Sequence, residues 1–357
     1  MTARQQQFSG TRDVRTSHTF DEDKLHAYLQ SEVADYAGPL TVRQFKGGQS
    51  NPTYLLETPD RGYVLRRKPP GRLLKSAHAV DREFRIISAL HAAGFPVPRP
   101  VLMCSDESIV GTIFFVMEFV HGRIFWDLDL PDCDPEERAE IYDDVNATLA
   151  MLHSYDFEAM GLADFGKPGN YFSRQISRWS KQYEASETDP VIEMNRLIEW
   201  LPHNIPEDES SGIVHGDYRL DNLIVDPTEP KVIAVLDWEL STIGHPMADF
   251  TYHLMAWRMP DLGIGSVGLY GKDLERLGIP DEESYVERYC DRVGRPRGFD
   301  HRDFYLAYNF FRIAAILQGI AGRVRDGTAA SAHAASATAA VKPLAEIAWR
   351  HAQAAGA

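Results

Sequence analysis

Cysteine is scarce in this chain. Only Cys104, Cys133 and Cys290 occur in 357 residues, far apart and without C-x-x-C spacing, so neither a disulfide framework nor a zinc-type ligand pattern is expected. Long apolar runs are missing as well. No run approaches the length of a membrane span, and Met1 to His18 is polar with no apolar centre, which argues against a spanning helix and a secretory signal. Positive charge is in deficit: 37 Lys and Arg against 52 Asp and Glu leave a formal charge of −15. A surface poor in cations releases few counterions on meeting a polyanion, so nucleic acid and anionic membrane are not expected partners. From these features the expectation is a soluble, cytoplasmic protein.

What is present suits a two-lobed domain or two domains, because 357 residues exceed one small core. The first eighteen residues, rich in Gln, Thr, Ser and Arg, are expected to form a flexible tail. From Asp21, Leu25, Tyr28, Leu29, Val33 and Tyr36 recur at helical spacing, closed by Gly38-Pro39. Short β-rich runs follow at 40–46, 53–58 and 63–68, and again at 101–104 and 112–118, divided by turn formers; they predict five antiparallel strands. Helical stripes begin at Asp134: Ile141, Val145, Leu149 and Leu152 form one, and Phe172, Ile176, Trp179 and Tyr183 another. Further helices are expected near 281–293, 303–325 and 328–353, around an irregular glycine-rich stretch from Leu262 to Gly271.

Two segments concentrate the chemistry. Ile213-Val-His-Gly-Asp-Tyr-Arg-Leu-Asp-Asn-Leu-Ile-Val225 places His215, Asp217 and Asn222 between apolar runs, and Ile233-Ala-Val-Leu-Asp-Trp-Glu239 adds Asp237 and Glu239. These groups suit phosphoryl transfer. One Asp can orient and deprotonate a hydroxyl, while a carboxamide oxygen and a second carboxylate can hold Mg²⁺ against the phosphates of a nucleotide. Glu239, two residues past Asp237, falls on the same side if the strand continues and can meet a metal directly or through water. An Asx-type turn closing a surface loop is the plainer alternative for Asp217 and Asn222.

The ordered set His215-Gly-Asp217, Asn222, Leu236-Asp237-Trp-Glu239 and Gly244-His-Pro-Met-Ala-Asp249 resembles the aminoglycoside phosphotransferase-like, or choline kinase-like, branch of the protein-kinase fold. It is most similar to the kinase-like domains associated with acyl-CoA dehydrogenases. The H-G-D-x-x-x-x-N run is a variant of the kinase catalytic loop. The resemblance implies an α+β, bilobal fold with a small N-lobe over 19–118 and a mainly helical C-lobe over 119–357. It makes Asp217 the catalytic base, His215 the buttress of its loop, Asn222, Asp237 and Glu239 the metal side chains, and Asp249 an acceptor for loop backbone groups.

The same resemblance implies ATP and Mg²⁺ as cofactors, and a small-molecule hydroxyl, such as that of a hydroxyacyl-CoA, as acceptor. Gly47, Gly48, Ser50 and Asn51 occupy the place of a phosphate-covering loop, although a glycine pair before polar residues is also an ordinary hairpin loop. On the strand 63–68 a cation is needed: Arg66 aligns first and Lys68 second, with Glu83 on the next helix as its ion-pair partner. A solvated basic strand and a surface carboxylate are the alternatives. Met117, Glu118 and Val120 resemble the hinge that lines and hydrogen-bonds the base. Tyr305, Asn309 and Arg312 fall where such enzymes build an acceptor wall. A catalytically silent nucleotide-binding module and an aminoglycoside-modifying resistance enzyme remain the competing readings.

Overall fold

The computed structural model describes residues 3–47, 51–69, 79–208, 210–262, 268–296, 299–325 and 334–357. Numbered along the chain, the strands are β1 Thr11–Arg12, β2 Thr41–Phe45, β3 Thr53–Glu57, β4 Gly62–Arg67, β5 Pro100–Cys104, β6 Phe114–Glu118, β7 Gly212–Val214, β8 Leu223–Val225, β9 Val232–Val235 and β10 Thr242–Gly244. The helices are α1 Ala3–Phe8, α2 Glu22–Glu32, α3 Val80–Ala92, α4 Pro135–His153, α5 Tyr171–Ser186, α6 Ile192–Trp200, α7 Pro246–Arg258, α8 Leu274–Leu277, α9 Glu282–Val293, α10 Arg302–Arg325 and α11 Ala334–Ala354. The chain forms two compact units rather than dividing at one cut after Glu118. The first comprises Met1–Trp126, Glu158–Phe165 and Arg219–Ser241, the second Asp127–Phe157, Gly166–Tyr218 and Thr242–Ala357.

The first unit is organised on an antiparallel sheet in the order β1-β2-β3-β4-β6-β5. Alternation along β4 sends Tyr63, Leu65 and Arg67 to one face and Val64 and Arg66 to the other. On the first face, Leu25 and Leu29 of α2 join Tyr54, Leu56, Tyr63, Leu65, Phe114 and Val116 in one buried cluster. Helix α2 starts where the Asp21 carboxylate accepts the Lys24 N–H at 2.9 Å, with Glu22 and Asp23 set against the positive end of the helix dipole. Helix α3 packs against β5 and β6, and its Phe84 ring meets Phe115 of β6. Because Phe115 stands opposite Arg66 in the ladder, this second face is where Arg66 points.

Two expectations change here. The sheet has six strands, not five, and residues 3–18 are not a free tail. β1 pairs with the edge of β2, Thr11 opposite Phe45, and so supplies partners for backbone groups that an uncovered edge would leave open. The segment is fastened further by Gln5 Nε2 donating to the Ile124 carbonyl at 2.5 Å and by Phe8 stacked on Trp126 at 4.8 Å between centroids. Buried Arg67 completes the anchoring: it donates to the carbonyls of His18 and Val110 and to the Tyr54 hydroxyl, with its guanidinium over the Phe20 ring. Polar composition hid this, since the segment contributes mostly backbone and a few aromatic contacts.

The second unit is helical. Asp134 caps α4 by accepting the Glu137 N–H, and Pro135 follows where a missing N–H costs nothing. Ile141, Val145, Leu149 and Leu152 on α4, and Phe172, Ile176, Trp179 and Tyr183 on α5, are all buried. Helix α10 is long and apolar enough to cross a membrane by composition, a run the sequence reading did not single out. It is instead the core helix of this unit, with most of its apolar stretch buried. It packs on α5, α7 and α11. Alanines on α11, among them Ala340, Ala345, Ala348 and Ala352, are buried and keep that seam narrow. The glycine-rich stretch at 262–271 lies partly outside the described residues.

Candidate active site

The sequence-predicted residues fall into two constellations, one in each unit. In the first unit the organising group is Arg66. Its Nε lies 2.9 Å from Glu83 Oε2 on α3, and its Nη2 reaches Asp237 Oδ1 and, at 3.4 Å, Glu239 Oε2. The Glu83 approach is off-line for a hydrogen bond, although the two atoms are in close contact. Both partners are buried, Arg66 at 7% and Glu83 at 2% exposure, so neither a solvated strand nor a surface carboxylate describes them. Lys68, just past the strand end, spends its backbone on Ile113 and Thr112 and has no side-chain ion pair among the described residues. Arg66, not Lys68, is therefore the cation paired with Glu83.

Three carboxylates on one guanidinium leave an excess of negative charge. Burial, chiefly, and the neighbouring Asp237 and Glu239 push the Glu83 carboxyl up to about 8, against the opposing pull of Arg66 and a Trp238 N–H. Arg66 is held firmly charged by the same three carboxylates, which outweigh its desolvation.

The β8–β9 ladder sets Asn222 beside Asp237. Leu223 pairs with Val235, and the Leu236 N–H donates to the Asn222 carbonyl at 2.8 Å. The residues just before β8 and just after β9 thus share one end of a hairpin. Asp237 then adopts φ 64° and ψ 60°, the left-handed region that costs a non-glycine residue on the order of 1 kcal/mol. It turns the chain into the short helical turn Trp238–Leu240, so Glu239 is not on a continuing strand. Glu239 instead accepts Asn51 Nδ2 at 3.1 Å, tying the end of the glycine-containing loop to the acidic cluster.

Gly48 and Ser50 lie outside the described residues. At Gly47 a Cβ would meet only ordinary contacts, the Phe8 carbonyl at 3.5 Å and the Trp126 ring at 3.7 Å, so the position does not demand glycine on steric grounds. Met117 is buried on β6 opposite Val64, and Leu55 stands opposite Val64 on its other side. Leu55, Val64 and Met117 therefore form an apolar strip on the Arg66 face. Glu118 has its N–H committed to the Arg99 carbonyl at 2.9 Å and its carboxylate to the Arg99 guanidinium. Val120 follows Phe119, whose N–H donates to Gly62.

In the second unit the His215-Gly-Asp217 loop is held from α7. Asp249 accepts the N–H groups of His215 and, at 2.7 Å, of Gly216. Burial alone would raise the Asp249 carboxyl, but the nearby His153 and His215 and the Gly216 N–H outweigh it and hold it below the usual range. His215 is fully buried and its Nδ1 accepts the Asp217 N–H at 3.1 Å. Gly216 has φ +86°, which only glycine takes without strain.

The Asp217 carboxylate, half-buried, accepts the Tyr252 hydroxyl at 2.6 Å. Sequence reasoning missed Tyr252. The available signal was its place three residues after Asp249, one turn along the same helix face. Of the residues expected to wall the acceptor, Tyr305 and Asn309 are interior. Asn309 Nδ2 bonds the Ala248 carbonyl and the Thr251 hydroxyl, and Tyr305 packs against Phe172 and His245. Arg312 is buried too, but it donates to the Gly216 carbonyl at 2.5 Å.

An antiparallel sheet unit carrying a buried Arg–Glu pair, a helical unit carrying an H-G-D loop, and an Asn–Asp hairpin define a kinase-like phosphotransferase. The profile of the Phosphotransferase enzyme family matches residues 41–305, and the chain belongs to that family, whose members transfer phosphoryl groups to hydroxyls. Mouse acyl-CoA dehydrogenase family member 10 is 46% identical over 340 residues, 95% of this chain and 32% of the relative. The chain therefore spans about a third of that relative's length. A Ralstonia eutropha JMP134 protein, classed provisionally with the aminoglycoside phosphotransferases, is 50% identical. The match covers 94% of this chain and 99% of that one, with a TM-score of 0.86. Aminoglycoside phosphotransferase APH(4)-Ia, solved with AMP-PNP and hygromycin B, is 16% identical over 94% of this chain and all of that one, with a TM-score of 0.60, a likeness of fold alone.

Proposed function

We propose that this chain is an ATP- and Mg²⁺-dependent kinase of a small hydroxylated metabolite, with a hydroxyacyl thioester such as a hydroxyacyl-CoA as the acceptor class. The observation that carries the reading is the presence, in one chain, of the buried Arg66–Glu83 pair, the Asn222–Asp237 hairpin end and an Asp217 held by its loop. A scaffold without turnover has no use for all three.

In this reading Arg66 binds nucleotide phosphates and the strip of Leu55, Val64 and Met117 packs against the base, with Val120 as its backbone partner. The donor set fits a divalent cation: the carboxylates around Arg66 exceed its charge, and Asn222 adds an uncharged oxygen. Among the described residues no three His, Cys, Asp or Glu side chains converge as a metal cage, so Asn222 and Asp237 would share the ion with phosphate oxygens, as nucleotide-bound Mg²⁺ is usually held. When bound, the cation neutralises phosphate charge. Asp217 orients the acceptor hydroxyl and takes its proton as the new O–P bond forms and the bond to the leaving diphosphate breaks.

ATP is supported by the AMP-PNP complex of the fold relative. The thioester class is supported by relatives whose names couple this sequence to acyl-CoA chemistry, and it is the finer part of the proposal. The test is ADP release with Mg-ATP across hydroxyacyl-CoA compounds, free hydroxy acids and aminoglycosides. Turnover on hydroxyacyl-CoA that is abolished by Asp217→Ala supports the reading. Turnover confined to aminoglycosides replaces the acceptor, and an Asp217→Ala enzyme as active as the parent removes the mechanism.

A further inference from the structure

The catalytic loop is held at its backbone by Asp249 and at its side chain by a different residue of the same helix. We infer that Tyr252 is a positioning residue for phosphoryl transfer: its hydroxyl fixes the plane of the Asp217 carboxylate toward the acceptor oxygen. The inference rests on the reading of Asp217 as the base.

Helix α7 presents two groups one turn apart. Asp249, in its first turn, accepts the His215 and Gly216 N–H groups. Tyr252, three residues on, donates its hydroxyl to Asp217 Oδ1 at 2.6 Å. A carboxylate on a single Cβ rotates about two torsions, and the backbone bonds from Asp249 fix neither of them. The phenol does. Its ring is a rigid spacer with its oxygen at the far end, and that ring is itself pinned: the Arg312 guanidinium from α10 lies 5.2 Å from its centroid.

Arg312 closes the arrangement by donating to the carbonyl of Gly216, the residue before Asp217. Burial works against its charge, yet the guanidinium stays cationic beside the Asp217 carboxylate. Backbone donors, carbonyl and carboxylate of one three-residue loop are thus each held by a different side chain. A loop that needed only to fold would be served by Asp249 and Arg312. The bond that reaches the Asp217 side chain adds nothing to backbone conformation, and its use is orientation.

The test uses the full chain with Tyr252→Phe, which deletes one oxygen and keeps the ring under Arg312. Three quantities are read: phosphate release from Mg-ATP with water as acceptor, affinity for Mg-AMP-PNP, and thermal stability. The expected result is a fall in turnover of about 10- to 100-fold, with nucleotide affinity within two-fold of the parent and melting temperature within about 3 °C. In an Asp217→Asn background the same change has no further effect, because the group it orients no longer accepts the proton. Unchanged turnover in Tyr252→Phe, or a loss that tracks weakened nucleotide binding or stability, overturns the inference. Full turnover in Asp217→Asn overturns the underlying reading, while an inactive Asp217→Asn beside a fully active Tyr252→Phe overturns only the role of Tyr252.

Discussion

Arg66 meets Glu83 through Nε and Asp237 and Glu239 through Nη2, so a single guanidinium serves three carboxylates. Two ends of one planar group reach two elements, α3 and the turn after β9, which a lysine ammonium on the same strand would not span in the same way. Arg66→Lys should therefore keep the fold but raise the KM for nucleotide, whereas Arg66→Ala should lower stability by about 3–5 kcal/mol, the usual penalty for stranding buried charge. Denaturant unfolding with and without Mg-AMP-PNP separates the two effects.

Glu83 carries a pH signature. Its carboxyl is pushed up to about 8 in the fold, chiefly by burial, from an unfolded value near 4.5. The folded state then binds more protons than the unfolded one between those values, so this residue's contribution to stability declines as pH rises from about 4.5 to 8. Glu83→Gln should flatten that decline. Melting temperatures of parent and variant should converge or cross toward pH 8 and diverge in favour of the parent toward pH 5.

His253 gives the opposite slope. It is buried, bonded through Nε2 to the Tyr285 hydroxyl at 2.9 Å, and burial lowers it to about 4. A histidine kept neutral in the fold but free to protonate when unfolded costs stability as pH falls from about 6.5 toward 4. The loss is about 2 kcal/mol at pH 5. His253→Gln should remove most of that acid sensitivity, which melts at pH 7 and pH 5 will show.

Asp249→Asn keeps the shape of a buried carboxylate but replaces one of its two acceptor oxygens by a donor, which then faces either the His215 or the Gly216 N–H. A stability loss of about 2–3 kcal/mol is expected, with turnover falling further than stability because the loop bearing Asp217 is released. Gly216→Ala tests the same loop from its backbone: at φ +86° it should cost about 1–2 kcal/mol. Calorimetry beside ADP release checks both.

Removing residues 1–12 should unmask the β2 edge and the Trp126 face covered by Phe8. The expected outcome is a lower melting temperature and a greater tendency to aggregate, read by light scattering. Phe8→Ala should show a smaller loss, of about 1–3 kcal/mol at most.

Much of this was legible in the chain. Short β-rich runs around 53–68 and 112–118, bounded by turn formers, mark strands whose successive residues are buried on both faces, and the 3.6-residue stripes on α4 and α5 mark helices. The stretches holding Asp217, Asn222 and Asp237 stand out because polar residues are compressed there between apolar runs that form buried strands. The unreadable parts depend on three-dimensional neighbours. Nothing in Thr11 and Arg12 announces a strand until the β2 edge is there to pair with them. Arg67 looks like its neighbour Arg66, yet one-residue alternation sends it to the opposite face and into a structural role. Tyr305 and Asn309 sit in a stretch of α10, Phe304 to Arg312, in which every residue is buried, so pattern alone could not separate wall from interior.

The hairpin formed by β8 and β9 has a consequence for how such chains can vary. Cross-strand pairing, with Leu223 opposite Val235 and Ile224 opposite Ala234, fixes the neighbourhood of Asn222 and Asp237 from the base of the hairpin, not from its tip. Insertions or deletions at the tip, between Asp226 and Lys231, should leave both side chains where they are. The interval counted between them along a sequence is then free to drift, while a slip of one rung in the ladder would part them at once.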